Sequence, residues 1–221
     1  RPPDLGLLAS LGSAEVAVFR RLRVAFFSTG NELRSVGETL DAGCVYDSNR
    51  YTIWAMLQRL GVDVLDLGVV RDAPAALAAA FRAAADAADA VITSGGVSVG
   101  EADHTKAVMA ELGDVLFWRI AMRPGRPMAI GRIERGDRAA ILFGLPGNPV
   151  AVMVTFYTFV RDALFVLQGR RDVAPLPTFK VPLSTPIRKL AGRMEFQRGV
   201  LAPDGNGGRT INAGDLEVAV L

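Results

Sequence analysis

The chain has 221 residues, half of them hydrophobic and 22% charged, with 23 glycines, 12 prolines and a formal net charge of +2. This composition excludes a disordered, collagen-like or coiled-coil chain, and the length allows one large domain or a medium domain with a small companion. A single cysteine, Cys44, excludes an internal disulfide framework and a multi-cysteine metal site. The longest nearly uncharged apolar run, Val150 to Val160, is closed by Arg161 and is too short to span a bilayer. No secretory leader pattern is visible, so a soluble, cytoplasmic α/β protein without a membrane partner is expected. The opening Arg1-Pro2-Pro3, without a methionine, suggests an excised fragment.

In chain order, residues 1–20 read as a lead-in with a short helix near Leu5–Leu11. Leu22–Ser28 is a short apolar run ended by Thr29-Gly30, the pattern of a buried strand. A loop over Asn31–Val45 precedes a helix that starts at Asp47-Ser48-Asn49 and stops at Gly61, followed by a strand at Val62–Leu67. Pro74 opens an alanine-rich helix to about Ala88, and Asp89–Ser94 forms the next strand. A helix capped by Asp103 or Thr105 ends at Gly113, and strands follow at Val115–Arg119, Met128–Arg132 and Ala139–Phe143, the last two as a hairpin. After Leu145-Pro146-Gly147-Asn148-Pro149 comes a helix that is apolar nearly all round and ends at Gly169. Such a helix is expected to be buried between domains or in an oligomer contact.

The alternation predicts a doubly wound, mostly parallel sheet in a three-layer α/β/α domain over residues 21–170. The proline-rich remainder, 171–221, reads as a small all-β unit with strands at Phe179–Leu183 and Phe196–Leu201. Trp54 and Trp118 fall at apolar positions and read as core or interface, and Met122, Met128 and Met153 as core filler.

Ligands of open parallel sheets bind at the carboxyl ends of the strands. Four loops there carry unusual chemistry: 28–32, 68–72, 94–103 and 145–149. Each residue has an ordinary reading as a cap, a turn or a solvated charge. Three carboxylates on three of these loops, Glu32, Asp72 and Asp103, repel one another unless a hard cation or a buried proton compensates them, which makes a Mg²⁺ site plausible. His104, the sole histidine, reads as a helix-start residue rather than a member of a triad. Between Arg119 and Arg138 six arginines (119, 123, 126, 132, 135 and 138) meet only Glu134 and Asp137, a local +4. One compact basic stretch suits a small anion better than a nucleic acid, although a solvated basic hairpin explains it equally well.

The stretches FFSTGNEL (26–33), YDSNR (46–50), LGVVRDAP (67–74), SGGVSVGEADHTK (94–106), MRPGRP (122–127) and GLPGNPVA (144–151) occur in this order. Together they resemble the molybdopterin molybdenumtransferase family over most of the chain, with SGGVSVGEAD and GLPGNP as the specific pair. The resemblance implies insertion of molybdenum from molybdate into adenylated molybdopterin, with release of AMP and with Mg²⁺ involved. It implies Glu32, Asp72 and Asp103 as catalytic and metal-holding acids. It also implies Thr29, Gly30, Asn49, Gly95, Gly96, Ser98, Pro146, Gly147, Asn148 and Pro149 around the nucleotide or pterin phosphate, and Arg119, Arg123, Arg126 and Arg198 around molybdate.

Several features depart from the family pattern. Arginines stand where the family usually has lysines, and Ala151 stands where it often has serine. A serine-containing glycine-rich segment is expected to be missing near Thr210–Ile211. The family's N-terminal half, which contributes residues across a homodimer interface, is absent, so this piece alone is expected to have little activity. The preceding adenylyltransferase, which shares the α/β domain, is both a possible partner and a competing reading, though it carries TGGTG in the third loop. A non-catalytic scaffold module of the same fold is the other alternative.

Overall fold

The computed structural model describes residues 2–97, 104–178, 180–184, 186–188, 191–203, 205 and 208–212. Helix α1 (Pro2–Ser10) buries nothing, and an extended, exposed lead connects it to β1 (Arg23–Thr29). Two-residue strands β2 (Leu33–Arg34) and β3 (Val45–Tyr46) pair with each other ahead of α2 (Ser48–Arg59). Then follow β4 (Asp63–Val70), α3 (Pro74–Ala87), β5 (Ala90–Ser94), α4 (His104–Leu112), β6 (Gly113–Arg119), β7 (Met122–Arg123), β8 (Pro127–Arg135) and β9 (Arg138–Leu145). One continuous helical run closes the α/β unit: α5 (Pro149–Thr155), a π-helical turn over Phe156–Val160, and α6 (Arg161–Leu167).

Six strands form one sheet in the order β4-β1-β5-β9-β8-β6. Its first three pairings are parallel and its last two antiparallel, so the expected β8–β9 hairpin forms at the charged turn. β1 is buried at every position after Arg23, as a strand covered by helices on both faces must be. Its side chains alternate between two cores. Val24 and Phe26 join Ile53 and Leu57 of α2 and Val152, Phe156, Val160 and Leu164 of the last helix. Ala25 and Phe27 join Leu77 and Phe81 of α3 and Val108 and Met109 of α4. This is the expected three-layer α/β/α arrangement. Phe26, Phe27, Phe81 and Phe156 are fully buried, and truncating any of them to alanine would cost about 3–5 kcal/mol.

The chain leaves β1 for α2 on one face of the sheet and leaves the adjacent β5 for α4 on the other. The crevice between β1 and β5 is therefore a topological switch point, where diverging connections leave room for a ligand.

Several expectations change. The helix over 149–167 packs its buried side on this chain's own sheet rather than between domains. Counted through Arg161 it is 19 residues long and apolar enough, by length and composition, to cross a membrane, with 44% of the window buried inside the protein. Arg161 does not end the helix, because it is sequestered: its guanidinium pairs with Asp162 and donates to the Ala174 carbonyl at 3.0 Å. Trp54 and Trp118 are 47% and 48% exposed rather than core. Trp118 lies on the sheet's edge strand, and Trp54 is among the exposed residues of α2.

Beyond Gly169 the strands are short. β10 (Met194–Glu195) pairs with β7, and β11 (Val200–Pro203) pairs with β12 (Arg209–Asn212). The single strand expected over Phe196–Leu201 is split, because the Phe196 N–H is drawn to the Arg123 carbonyl at 2.8 Å. Of the strand expected at Phe179–Leu183, Phe179 lies outside the described residues and Leu183 makes only an isolated bridge to Ile211. β12 runs through Thr210 and Ile211 as a paired strand.

At the amino end of the sheet Arg20 grips Asp89 through two hydrogen bonds of 2.7 and 2.6 Å, and the Arg23 N–H adds a third at 2.9 Å. These contacts, Arg20 first, hold the Asp89 carboxyl below the ordinary value of 3.8. A native acidity stronger than the unfolded one stabilises the fold above the unfolded pKa and is lost as pH falls through the native value. Asp89→Asn should therefore lower Tm by a few degrees at neutral pH, corresponding to about 1 kcal/mol for so exposed a partner. The gap between variant and wild type should close in acid. Thermal melts across that pH range check this, and a gap that stayed constant would contradict it.

Candidate functional site

The carboxyl ends of β1, β4, β5 and β9 open onto one rim. Because β8 is antiparallel to both β9 and β6, its first residues and the last residues of β6 reach the same rim, with Arg119 opposite Pro127 and Ala129 opposite Gly144. β1 ends on Ser28 and Thr29, both buried, whose hydroxyls have no hydrogen-bond partner among the described residues, and the first loop follows them. Gly30 lies under the Glu32 side chain, since a Cβ there would stand 2.8 Å from Glu32 Oε1. Next in line, Asn31 Oδ1 accepts the backbone N–H of Asp72 at 3.2 Å. That bond joins the loops carrying Glu32 and Asp72. Asp72 Oδ1 is itself buried and has no partner among the described residues.

The third loop follows β5, where the backbone comes too close to its neighbours for any side chain. A Cβ on Gly95 would lie 2.5 Å from the Thr29 carbonyl oxygen, and one on Gly96 would lie 2.3 Å from Thr105 Oγ1. Both residues have positive φ, 93° and 68°, which glycine alone adopts without strain. Ser98 and Asp103, expected on this loop, lie outside the described residues. Among the described residues no group of three His, Cys, Asp or Glu side chains gathers as a metal-ligand set, so the three-carboxylate cluster rests on Asp103.

The fourth loop enters the last helix. Pro146 is buried, whereas Gly147, Asn148 and Pro149 are exposed. Asn148 caps the helix, its Oδ1 taking the N–H groups of Val150 and Ala151 at 3.0 and 3.2 Å, while Pro149 fills the first turn. Asn49 sits beneath these loops, 8% exposed, and donates to Ser94 Oγ at 2.8 Å and to the Gly147 carbonyl at 2.7 Å.

The arginine stretch divides in two. Arg119, Arg123 and Arg126 are exposed at the rim, on a loop closed by the Ile120 N–H to the Arg126 carbonyl at 2.8 Å and packed on the last helix through Gly125 and Thr155. Arg198 follows the segment that Phe196 fastens to Arg123, and it too is exposed. Beside them, Glu195 is held below the usual carboxylate range by Arg193 first, then Gln197, with a further contribution from Arg123. Arg132 stands roughly 17 Å along β8 from Pro127, and Arg135 with Arg138 opposite it roughly 26 Å, at 3.3 Å per residue. There Arg132 pairs with Glu134 and Arg135 with Asp86. The local +4 therefore does not act on one ligand: Arg119, Arg123 and Arg126 carry three of the positive charges at the rim, and the solvated hairpin with Glu134 and Asp137 keeps the remaining one. A cavity of about 430 Å³ lined by Phe19, Arg20, Leu22, Asp89, Arg132 and Leu167 lies at the far end of the hairpin and does not reach the rim.

Sequence reading placed Asn31 and Ser94 on the rim loops without giving either a role, and read Thr105 only as a possible helix cap. The signal was present in part: Ser94 is the polar last residue of an otherwise apolar strand, the position from which a side chain reaches a ligand crevice.

Residues 25–165 match the family model described as "Probable molybdopterin binding domain". Among curated proteins, the chain is 48% identical over 198 residues to a molybdopterin molybdenumtransferase of Haemophilus influenzae, covering 90% of this chain and 48% of that protein. It is 41% identical over 167 residues to one of a Nostoc species, covering 75% and 38%. The crystal structure of a molybdopterin biosynthesis MoeA protein from Pyrococcus horikoshii superposes with a TM-score of 0.76 at 32% identity, covering 94% of this chain and 48% of that one. The chain thus spans about half the length of the curated relatives it matches, or less. It belongs to the molybdopterin-binding domain family, alongside the proteins named molybdopterin molybdenumtransferases.

Proposed function

We propose that this chain is the α/β portion of a molybdopterin molybdenumtransferase, which moves molybdenum from molybdate into adenylated molybdopterin and releases AMP. The observation that carries this reading is the meeting, at one rim, of two glycine-lined loops and three exposed arginines, beside a buried carboxylate oxygen without a partner among the described residues. Molybdate and a phosphoanhydride are both anions, so carboxylates alone would repel them. Guanidinium groups of Arg119, Arg123 and Arg126, with Arg198 alongside, would attract molybdate and orient it through their fixed fork of donors. The backbone around Gly95, Gly96 and Gly147 leaves room for a phosphate to approach.

The orphaned Asp72 Oδ1 is a hard oxygen donor of the kind Mg²⁺ takes, and Glu32 stands on the loop that Asn31 ties to it. Together with Asp103 these residues would hold the ion. Bound Mg²⁺ supplies charge neutralisation at the anhydride, which favours AMP as the leaving group. The reading extends to a homodimer in the cytoplasm that takes its substrate from the preceding adenylyltransferase. Edge strand β6 supports self-association, since it presents Leu116, Phe117 and Trp118 to solvent at 56%, 38% and 48% exposure.

In the longer polypeptide that carries this chain, Asp103→Ala should abolish molybdenum insertion while leaving the melting profile intact. Insertion at the wild-type rate would remove Asp103 from the site. Arg123→Ala should raise the molybdate concentration for half-maximal turnover about tenfold, the loss expected for one charge-assisted hydrogen bond, and an unchanged molybdate titration would count against the arginine assignment. Mg-ATP-dependent adenylation of molybdopterin by the protein would overturn the whole reading in favour of the preceding step.

A further inference from the structure

Where the two glycine loops of the rim approach each other, at Gly95 and Gly147, neither residue has a side chain with which to set the distance. A Cβ built on Gly147 would come 3.9 Å from the Gly95 Cα, and the Thr29 backbone presses on Gly95 from the other side. Backbone contributes one cross-tie, the Gly95 N–H to the Leu145 carbonyl at 3.1 Å. The other tie is a side chain. Asn49 Nδ2 directs one proton to Ser94 Oγ, the last residue of β5, and the other to the carbonyl of Gly147 in the loop entering the last helix.

Three features single this side chain out. Capping of α2 does not need it, because Asp47 accepts the Arg50 N–H at 3.1 Å. Its nitrogen is fully committed among the described residues, both protons going to acceptors of the protein itself, so the amide has no proton left to donate to a ligand. The chemistry also fixes the residue type: two acceptors at 2.8 and 2.7 Å require two protons from one atom, which an amide has and a carboxylate lacks.

We propose that Asn49 is a positioning residue that clamps the loop after β5 to the loop before the last helix, and so sets the width of the crevice in which the nucleotide part of the substrate is held. The clamp itself stands on the geometry; only its bearing on nucleotide rests on the proposed function. In the place expected for a phosphate contact, Asn49 shapes the crevice from below.

The test uses the whole 221-residue chain, with hydrogen exchange at the Gly95 and 144–148 amides and AMP titration by calorimetry as separate arms. Asn49→Asp keeps the volume but sets an acceptor against the Gly147 carbonyl. It should raise exchange at those amides about tenfold, with β1 unchanged, and weaken AMP about tenfold. Wild-type exchange in both Asn49→Asp and Asn49→Ala would overturn the clamp, and so would a loss of AMP affinity without faster exchange, which marks direct contact instead. A buried carboxyl that regains its proton regains one donor, so the Asn49→Asp excess over wild type should shrink between about pH 8 and about pH 5 while the Asn49→Ala excess does not. Equal excess for Asn49→Asp at both values would also overturn it. If Asn49→Asp fails to fold, Ser94→Ala removes one of the two anchors and should speed Gly95 exchange about threefold; no change there would refute the clamp. A wild-type chain that binds no AMP would remove the nucleotide reading, while the exchange arm still decides the clamp.

Discussion

The rim of the sheet depends on backbone approaching backbone more closely than any side chain permits. Gly95 turns against the Thr29 carbonyl and Gly96 against the Thr105 side chain, each in a left-handed conformation. An added Cβ would lie well inside contact distance in both cases, so alanine at either position would force the loop away from the sheet. The same constraint recurs deeper in the sheet. A Cβ on Gly144 of β9 would meet Val97 and Ala129 below 3.0 Å, and Val97 is part of the core against which α3 and α4 pack. Site and core are therefore one packing problem: the loop that would take a phosphate is held down by the residues that close the α3–α4 core.

A rim built this way leaves polar atoms without partners. Among the described residues the Ser28, Thr29 and Thr93 hydroxyls and Asp72 Oδ1, at or just beyond the carboxyl ends of strands, are buried without a partner, as are Asp47 Oδ2, Asn49 Oδ1 and the Thr105 hydroxyl at the starts of α2 and α4. Each such group costs on the order of 1–3 kcal/mol relative to a satisfied one. Two apolar cores offset that cost, and the fully buried phenylalanines on both faces of β1 show where the offset comes from. Concentrating unsatisfied groups at one edge, while the middle of the sheet stays apolar, is how a fold trades stability for a binding site.

The sheet was legible because its strands are short apolar runs bounded by Gly, Pro and Asx residues, and because buried parallel strands need no alternation to be recognised. Strand β1 and helices α2 and α3 stand within a few residues of the positions read from capping and breaking residues alone. The carboxyl-end loops were legible for the same reason, since a strand's last polar residue marks the rim. Other features were less accessible. The division of the arginines could not be seen in a linear count, because Arg126 and Arg135 sit at opposite ends of the extended strand β8. Of the two readings of the tryptophans, core or interface, the structure removes the core one, because an apolar position on an edge strand or an outer helix face looks like a core position until its neighbours are known. The role of Asn49 was hidden as well: Asp-Ser-Asn before a helix satisfies the capping rule in three ways, and only the fold shows that Asp47 does the capping.

The arginine division bears on how the rim would treat its substrates. Arg132 and Arg135 are neutralised by Glu134 and Asp86, and little of their charge acts across the roughly 17 to 26 Å of hairpin at 3.3 Å per residue in salt, where the Debye length is about 8 Å. Arg119, Arg123 and Arg126 are exposed, and the nearby Glu195 is already engaged by Arg193 and Gln197. Three exposed arginines thus stand on the side of the crevice formed by β6 and β7, while Glu32 and Asp72 lie on the side formed by β1 and β4. An oxyanion and a divalent cation entering the same crevice would be sorted to opposite walls by those charges. The width between the walls, which the loops after β5 and before the last helix set, would then decide whether both reach one substrate.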